Sequence, residues 1–325
     1  MTALTGSEGA DTTRSGISRR EEKQLALSLS PDVAWLTLAL AVVLPTTLLA
    51  IIYLGLSGRW PLWACTPILA VVSYAHYTLV HEAIHGNVVS KPRRLHWINT
   101  VVGWIGALGM GAGWPVLQRT HLLHHAHTNT ERDPDIFVKG TFGQLIGKWG
   151  IAVFMNLLPL ALLKPFAPAR YQRLRRILSP SEIAQSSAVT AFTLLLLAAS
   201  LATGHFVAWF MLWFAPLRIA MLMLNILFQW LPHYPFDRTD RYGATRVSLW
   251  LGGTVATLQQ NLHLMHHLWP SVPFYNYRRL FLALWPVLVA EGSPIQGFGV
   301  GAWARSKEHE IAAATSRNTA ACPRS

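Results

Sequence analysis

Charged residues and cysteine are both scarce in this chain of 325 residues. Charged side chains make up 13% of the chain and hydrophobic ones 52%, whereas about a quarter of the residues of a soluble domain are charged. The two cysteines, Cys65 and Cys322, exclude a disulfide framework and do not form a pair with metal-ligand spacing. A metal must therefore bind to histidine, of which the chain has 14.

Four apolar stretches are long enough to cross a membrane. Val33–Gly58 has 26 residues without a charge and Trp60–Val80 has 21, and a membrane helix needs roughly 20. A second pair lies within Ile183–Pro232, where a polar turn at 203–205 separates two apolar runs and Arg218 is the single charge. The sequence predicts an all-α integral membrane protein with two transmembrane helical hairpins. It does not give the role of Arg218 or the oligomeric state.

Two further apolar stretches are not predicted to be simple spans. Trp97–Leu117 is rich in glycine, and Gly150–Leu163 is too short to cross. If Trp97–Leu117 crossed once, the histidines near His121 would lie on the opposite side of the membrane from those near His81. We therefore expect re-entrant or interfacial helices here, with their backbone covered by protein.

The excess of basic residues predicts the orientation of the spans. Lysine and arginine exceed aspartate and glutamate by 12, and they concentrate at 91–94 and 164–176 on one predicted side. The positive-inside rule makes that side cytosolic, with both termini and a histidine-rich cap, in the inner (cytoplasmic) membrane. This basic excess fits anionic lipid head groups better than nucleic acid. Segments 1–30 and 301–325 are expected to be flexible tails around a membrane domain at 31–300.

Eight of the 14 histidines form three groups, or boxes, with metal-ligand spacing, and His233 is a single ninth candidate: the first group is His81 and His85, the second His121, His124 and His125, and the third His263, His266 and His267. Residues three or four apart share a helix face but not a strand face, so each group is expected to lie on a helix. Nine neutral imidazoles exceed what one zinc ion takes and suit two ions of a metal such as iron. The candidate ligands are His81, His85, His121, His124, His125, His233, His263, His266 and His267.

Five polar residues are candidates to support these ligands. Glu82, Asp133, Asp135 and Asp237 are each expected to accept the second N–H of a ligand imidazole. Gln229 precedes His233 by about one helical turn, so its amide is expected to face the same site.

The first group also matches the zinc-protease signature His-Glu-x-x-His. An intramembrane zinc protease would use Glu82 as general base. This alternative leaves the second and third groups without a role, and the apolar runs offer no acidic third ligand.

The boxes and their contexts resemble those of membrane di-iron desaturases and hydroxylases. The run Leu231–Phe236, the third-box context Asn261–Tyr275 and the segment Glu291–Pro294 are similar to the cyanobacterial type of carotenoid β-ring hydroxylase. The similarity covers roughly Val71 to Gln296, and the resemblance implies that the nine histidines ligate two iron ions. The first box departs slightly, because Glu82 replaces an aspartate and the following residues are also similar to ketolases.

The resemblance implies O2-dependent oxidation of a lipid-soluble substrate that enters from the bilayer, most simply 3-hydroxylation of a carotenoid β-ring. A fatty acyl desaturase or hydroxylase and a carotenoid ketolase remain alternatives. The sequence has no flavin or nicotinamide fingerprint and no haem domain, so a ferredoxin-like donor protein with its reductase is expected to supply electrons. The basic stretch 170–176 is a candidate docking site for that donor. The alternative is that these basic residues only orient the protein in the membrane.

Overall fold

The computed structural model describes residues 17–297 and Ala312, and these residues are mostly helical with very little strand. The helices are α1 (Arg19–Ser28), α2 (Trp35–Leu56), α3 (Leu62–Ile84), α4 (Trp97–Gly109), α5 (Trp114–His127), α6 (Phe142–Met155), α7 (Leu163–Phe166), α8 (Pro168–Ile177), α9 (Pro180–Ala202), α10 (Phe206–His233), α11 (Gly253–Ala256), α12 (His263–Leu268) and α13 (Tyr277–Ala290). Short 3-10 turns lie at Arg93–Leu95, Pro134–Val138, Leu160–Leu162, Gln260–Leu262 and Phe274–Asn276. Two strands, β1 (Val247–Leu249) and β2 (Ile295–Gly297), pair in parallel.

The chain divides into two compact units. The membrane unit is Asp32–Asp237, and the terminal unit combines Met1–Pro31 with Arg238–Ser325. Each unit has its own candidate ligands.

The membrane unit contains the four predicted spans as α2, α3, α9 and α10, each long and apolar enough to cross a bilayer. The most hydrophobic 18-residue stretch of α3 is 61% buried, whereas that of α2 is 28% buried. Helix α3 therefore lies at the centre of the unit, and α2 exposes apolar side chains to lipid. α3 packs against α2, α4 and α10. The prediction of an all-α membrane protein with four spans is confirmed.

The glycine-rich stretch forms two helices instead of one straight span. The helical stretch Arg93–Gly109, which ends with α4, meets α5 at a bend of 103°. A Cβ on Gly106 would lie 2.8 Å from the backbone oxygen of His76, so the glycine allows α4 to approach the backbone of α3. The other stretch that was not predicted to be a simple span, Gly150–Leu163, also lies in a bent pair of helices, with an angle of 97° between α6 and Leu160–Phe166.

The terminal unit holds α1 against α13. Glu22 of α1 is fully buried, accepts a hydrogen bond of 2.5 Å from the Tyr242 hydroxyl and lies 3.5 Å from the Arg241 guanidinium. Burial and then this hydrogen bond raise the pKa of Tyr242 to about 12. This helix lies within the stretch predicted as the N-terminal tail; residues 1–16 and the segment predicted as the C-terminal tail, Ala312 apart, lie outside the described residues. The tail boundaries stay predictions.

The short parallel pair of strands was not predicted from the sequence. It pairs Val247 with Ile295 and Leu249 with Gly297. Because each strand has three residues, neither shows the alternation that identifies a strand in sequence.

Candidate metal centre

The first and second histidine groups meet in the membrane unit. His81 lies on the last turn of α3 and His85 directly follows that helix, while His121 and His125 share one face of α5. The Nε2 atom of His121 lies 3.0 Å from Nε2 of His85 and 3.1 Å from Nε2 of His125. The ring of His81 is centred 5.0 Å from that of His121. Four imidazoles therefore converge, and for three of them the structure brings the Nε2 atoms together.

The environment of this group favours neutral imidazoles. Burial, reinforced by neighbouring histidines, holds the pKa of His85 and of His121 well below the ordinary value. The same causes lower the pKa of His125 to about 2. Neutral imidazole is the form that binds a metal, so these residues are in the ligating protonation state at neutral pH.

His124 faces a carboxylate instead. Its Nδ1 donates to Asp133, at 2.9 Å from Oδ1, and both side chains are buried. Burial alone would lower the pKa of His124, but the hydrogen bond to Asp133 and the charges of Asp135 and Asp133 outweigh it and raise this pKa. Asp133 also accepts from the backbone N–H groups of Asn129 and Asp135, both at 2.8 Å. The carboxylate thus fixes the ring and leaves Nε2 as the ligand atom.

His233 ends α10 and is held by the same loop. Its Nδ1 lies 3.2 Å from Oδ1 of Asn129, and its ring centroid lies 4.7 Å from that of His124. Asn129 has a φ of +62°, a conformation that asparagine tolerates better than most residues. The six residues before Leu231 are π-helical, a rare geometry that is frequent at functional sites. Sequence reasoning missed Asn129, although its place in a short polar turn between His125 and Asp133 was a usable signal.

The other predicted supporting residues differ in their placement. Asp135 lies 3.8 Å from Nδ1 of His124 and accepts a hydrogen bond from Gln229, while burial raises its pKa. Glu82 is fully buried, with Oε1 at 3.7 Å from Nδ1 of His81, beyond hydrogen-bond distance. Asp237 is exposed and forms no hydrogen bond or ion pair with any described residue.

The third group lies in the terminal unit, on α12. Nε2 of His267 lies 3.1 Å from Nε2 of His263, and Nδ1 of His266 lies 3.1 Å from the hydroxyl of Tyr277. His263, His266 and Tyr277 are buried. The helix ends at Leu268, two residues before Pro270. Tyr277 is a supporting residue that sequence reasoning missed.

The residues present fit a nitrogen-ligated transition metal. In each unit, Nε2 atoms of some histidines approach one another, and Nδ1 atoms of other histidines contact oxygen, from Asp133, Asn129 or Tyr277. An imidazole whose Nδ1 contacts oxygen has Nε2 left for a metal, which is the usual arrangement around a metal-bound histidine. Imidazole ligands favour iron, zinc or copper over magnesium or calcium.

Two histidines outside the candidate ligand set form local hydrogen bonds. Nδ1 of His76 lies 2.8 Å from the carbonyl oxygen of Val72, and Nε2 of His96 lies 2.7 Å from that of Ser90.

Comparison with known proteins agrees with this site. The chain is 28% identical over 231 residues to a β-carotene ketolase from Paracoccus sp. (strain PC1), covering 66% of this chain and 81% of the ketolase. It is 26% identical over 229 residues to a β-carotene ketolase from Paracoccus sp. (strain N81106 / MBIC 01143), covering 66% and 79%. The family model described as fatty acid desaturase matches residues 57–299, which include all nine candidate ligands. The chain belongs to the fatty acid desaturase family.

Proposed function

We propose that this membrane oxidoreductase oxygenates the β-ring of a carotenoid and that its reaction is hydroxylation at C3. The observation that carries the proposal is the arrangement of histidines in a chain of the desaturase family. The two Paracoccus relatives of this chain are β-carotene ketolases, which supports a carotenoid substrate. The similarity of Leu231–Phe236 and of the third-box context to carotenoid hydroxylases supports the 3-hydroxylation. Because the chain belongs to the fatty acid desaturase family, we interpret the first box as part of an oxidoreductase metal site and not as a zinc-protease motif.

We propose that the nine histidines bind iron, because the resemblance to membrane di-iron desaturases and hydroxylases implies that these residues are iron ligands. When bound, iron supplies the O2 chemistry that a C–H bond without acidity requires. The chain's own residues prepare the ligands: burial keeps His121 and His125 neutral, and Asp133 fixes the ring of His124. The hydrophobic spans admit the substrate from the bilayer and exclude water.

Each hydroxylation consumes O2, two electrons and two protons, and the second oxygen atom leaves as water. We propose that an external protein of the ferredoxin type, with its reductase, supplies these electrons. The absence of a flavin or nicotinamide fingerprint in the sequence supports this division of labour.

Formation of a ring ketone is a second candidate reaction, favoured by the names of both relatives. A ketone requires repeated oxidation of one carbon, so the same site with a differently placed ring would produce it. Acyl-chain oxidation is the third possibility.

Expression in a host that accumulates β-carotene and has a competent ferredoxin system distinguishes these reactions. Hydroxylated rings, as in β-cryptoxanthin and zeaxanthin, with an unchanged fatty-acid profile are the expected result. Keto-carotenoids would show that the reaction is formation of a ring ketone and not hydroxylation. New acyl products beside untouched β-carotene would refute the carotenoid assignment while leaving the metal site in place.

Metal content tests the site separately from the substrate. Purified protein is expected to contain close to two iron ions per chain and little zinc. His121→Ala in the membrane unit or His263→Ala in the terminal unit should reduce iron, whereas His205→Ala, at an exposed position, should not. One zinc ion per chain, retained by both variants, would refute the proposed iron site.

A further inference from the structure

One stretch between the second and third histidine groups, residues 136–181, has charge of one sign only. From Ile136 to Ser181 there are seven lysines and arginines and no aspartate or glutamate. Four of the seven are arginines of α8. A long stretch without acidic residues cannot neutralise its own charge, so it presents a cationic surface.

Helix α8 presents this charge at its exposed positions. Arg173, Arg175 and Arg176 are exposed, while Leu174 and Ile177 are half-buried. None of the three arginines forms an ion pair with another described residue. Their guanidinium groups are therefore available to an anionic partner.

Large apolar side chains are exposed in the helices that precede α8. Phe154 of α6 is 73% exposed and Phe166 of α7 is 68% exposed. With 14 residues, α6 is about 21 Å long, which is too short to cross the hydrocarbon core of about 30 Å. Short helices with apolar exposed residues beside cationic ones are typical of segments in the plane of the membrane interface.

Hydrogen bonds fix this segment to the spans. Arg170 donates to the side-chain oxygen of Asn156 at 3.3 Å, and Asn156 contacts the sulfur of Met221 in α10 at 3.1 Å. The backbone N–H of Ala161 donates to the hydroxyl of Ser187 in α9 at 2.9 Å. The segment that leads into α8 is thereby attached to two spans, α9 and α10.

We propose that Arg173, Arg175 and Arg176 form a binding site for the head groups of anionic phospholipids. The exposed phenylalanines favour lipid over an acidic protein, because a bilayer accepts both the apolar side chains and the adjacent charges whereas a protein donor would leave Phe154 and Phe166 in water. The inference depends on membrane insertion and not on the proposed substrate.

Retention of lipid by the purified protein tests the site. Protein in detergent is mixed with phosphatidylglycerol or with phosphatidylcholine, and bound lipids are counted by native mass spectrometry. The unaltered chain is expected to prefer phosphatidylglycerol, and the triple variant R173Q/R175Q/R176Q should lose preference by about fivefold for each arginine removed. High salt should weaken the preference in the unaltered chain, because the interaction is electrostatic.

Two further variants control for charge and folding. The variant R19Q/R20Q/K23Q removes the same charge from exposed positions of α1 and is expected to keep the preference. Replacing the three arginines of α8 by lysine keeps the charge and should retain most of it. An equal loss of the phosphatidylglycerol preference in the α1 and α8 variants would overturn the site. An unchanged preference in the α8 variant would also overturn it. If that variant were in addition reduced more slowly by an acidic donor protein, this surface would be assigned to the donor.

Discussion

Asp133 is the residue through which the loop after α5 orders the site. Its two oxygens accept hydrogen bonds from the His124 ring and from two backbone N–H groups. One carboxylate therefore fixes both a ligand ring and the turn that carries Asn129, which contacts His233.

Asp133→Asn is expected to lower iron affinity about 10- to 100-fold, because an amide has one acceptor oxygen and no charge to support the imidazole. The measurement is iron retained per chain after exposure to a competing chelator. Asp237→Asn is the matched control, since Asp237 is exposed and forms no bond with any described residue. Equal iron loss in both variants would show that Asp133 has no special role.

The roles of Asn129 and Tyr277 show the limit of sequence reasoning at the scale of single residues. The histidine groups are readable because their spacing repeats and because helix geometry gives that spacing a meaning. The side chains of Asn129 and Tyr277 contact His233 and His266, and such individual contacts leave no periodic pattern in the sequence.

Among the helices, the contact between α3 and α4 depends on small residues. Gly106 lies where a Cβ would be 2.8 Å from a backbone oxygen and 2.9 Å from the backbone nitrogen of Val80. Backbone atoms cannot rotate away as a side chain can, so any added atom must separate the two helices.

Gly106→Ala is expected to destabilise the protein by about 1–3 kcal/mol and to lower iron content, since α3 carries the first histidine group. Thermal unfolding in detergent, followed with iron content, measures both effects. Gly147→Ala is the control: this helical glycine of α6 has open space around its Cβ position, and the change should be neutral or stabilising by up to about 1 kcal/mol. A stable Gly106→Ala variant would refute the close packing.

Over the whole molecule, the buried histidines link stability to pH. The pKa values of His85, His121 and His125 are lowered in the folded protein, so below about pH 6.5 the unfolded chain binds protons that the folded chain does not. Their contribution is present above that pH and is lost as pH falls. His124 has a raised pKa and acts in the opposite direction, with its stabilisation lost as pH rises through the folded pKa.

Because three lowered groups oppose one raised group, the metal-free protein is expected to unfold at lower temperature as pH falls from about 7.5 to about 5. His125→Gln removes one titrating group and should reduce this dependence by up to about 1.4 kcal/mol per pH unit. Unfolding temperatures measured across this range test the prediction. A metal-free protein that gains stability on acidification would contradict it.

The predicted orientation is a second property of the whole molecule. In a background without Cys65 and Cys322, Ser90→Cys and Gln172→Cys should react with an impermeant thiol reagent only after the membrane is opened. Ser57→Cys, in the short turn between α2 and α3, should react in intact cells. Labelling of position 172 from outside would reverse the predicted side of α8.

The sequence by itself determined the four spans and the histidine groups at helical spacing. Long uncharged runs must be helical in lipid, because every backbone polar group needs a partner within its own segment. Tertiary structure alone decided that Nδ1 is the nitrogen of His124, His233 and His266 that contacts oxygen. It also decided that Glu82 lies too far from His81 for a hydrogen bond, and that a pair of short strands forms in the terminal unit. These features depend on the distance between atoms that are remote in the chain or on side-chain rotation, and neither is encoded in residue type or local periodicity.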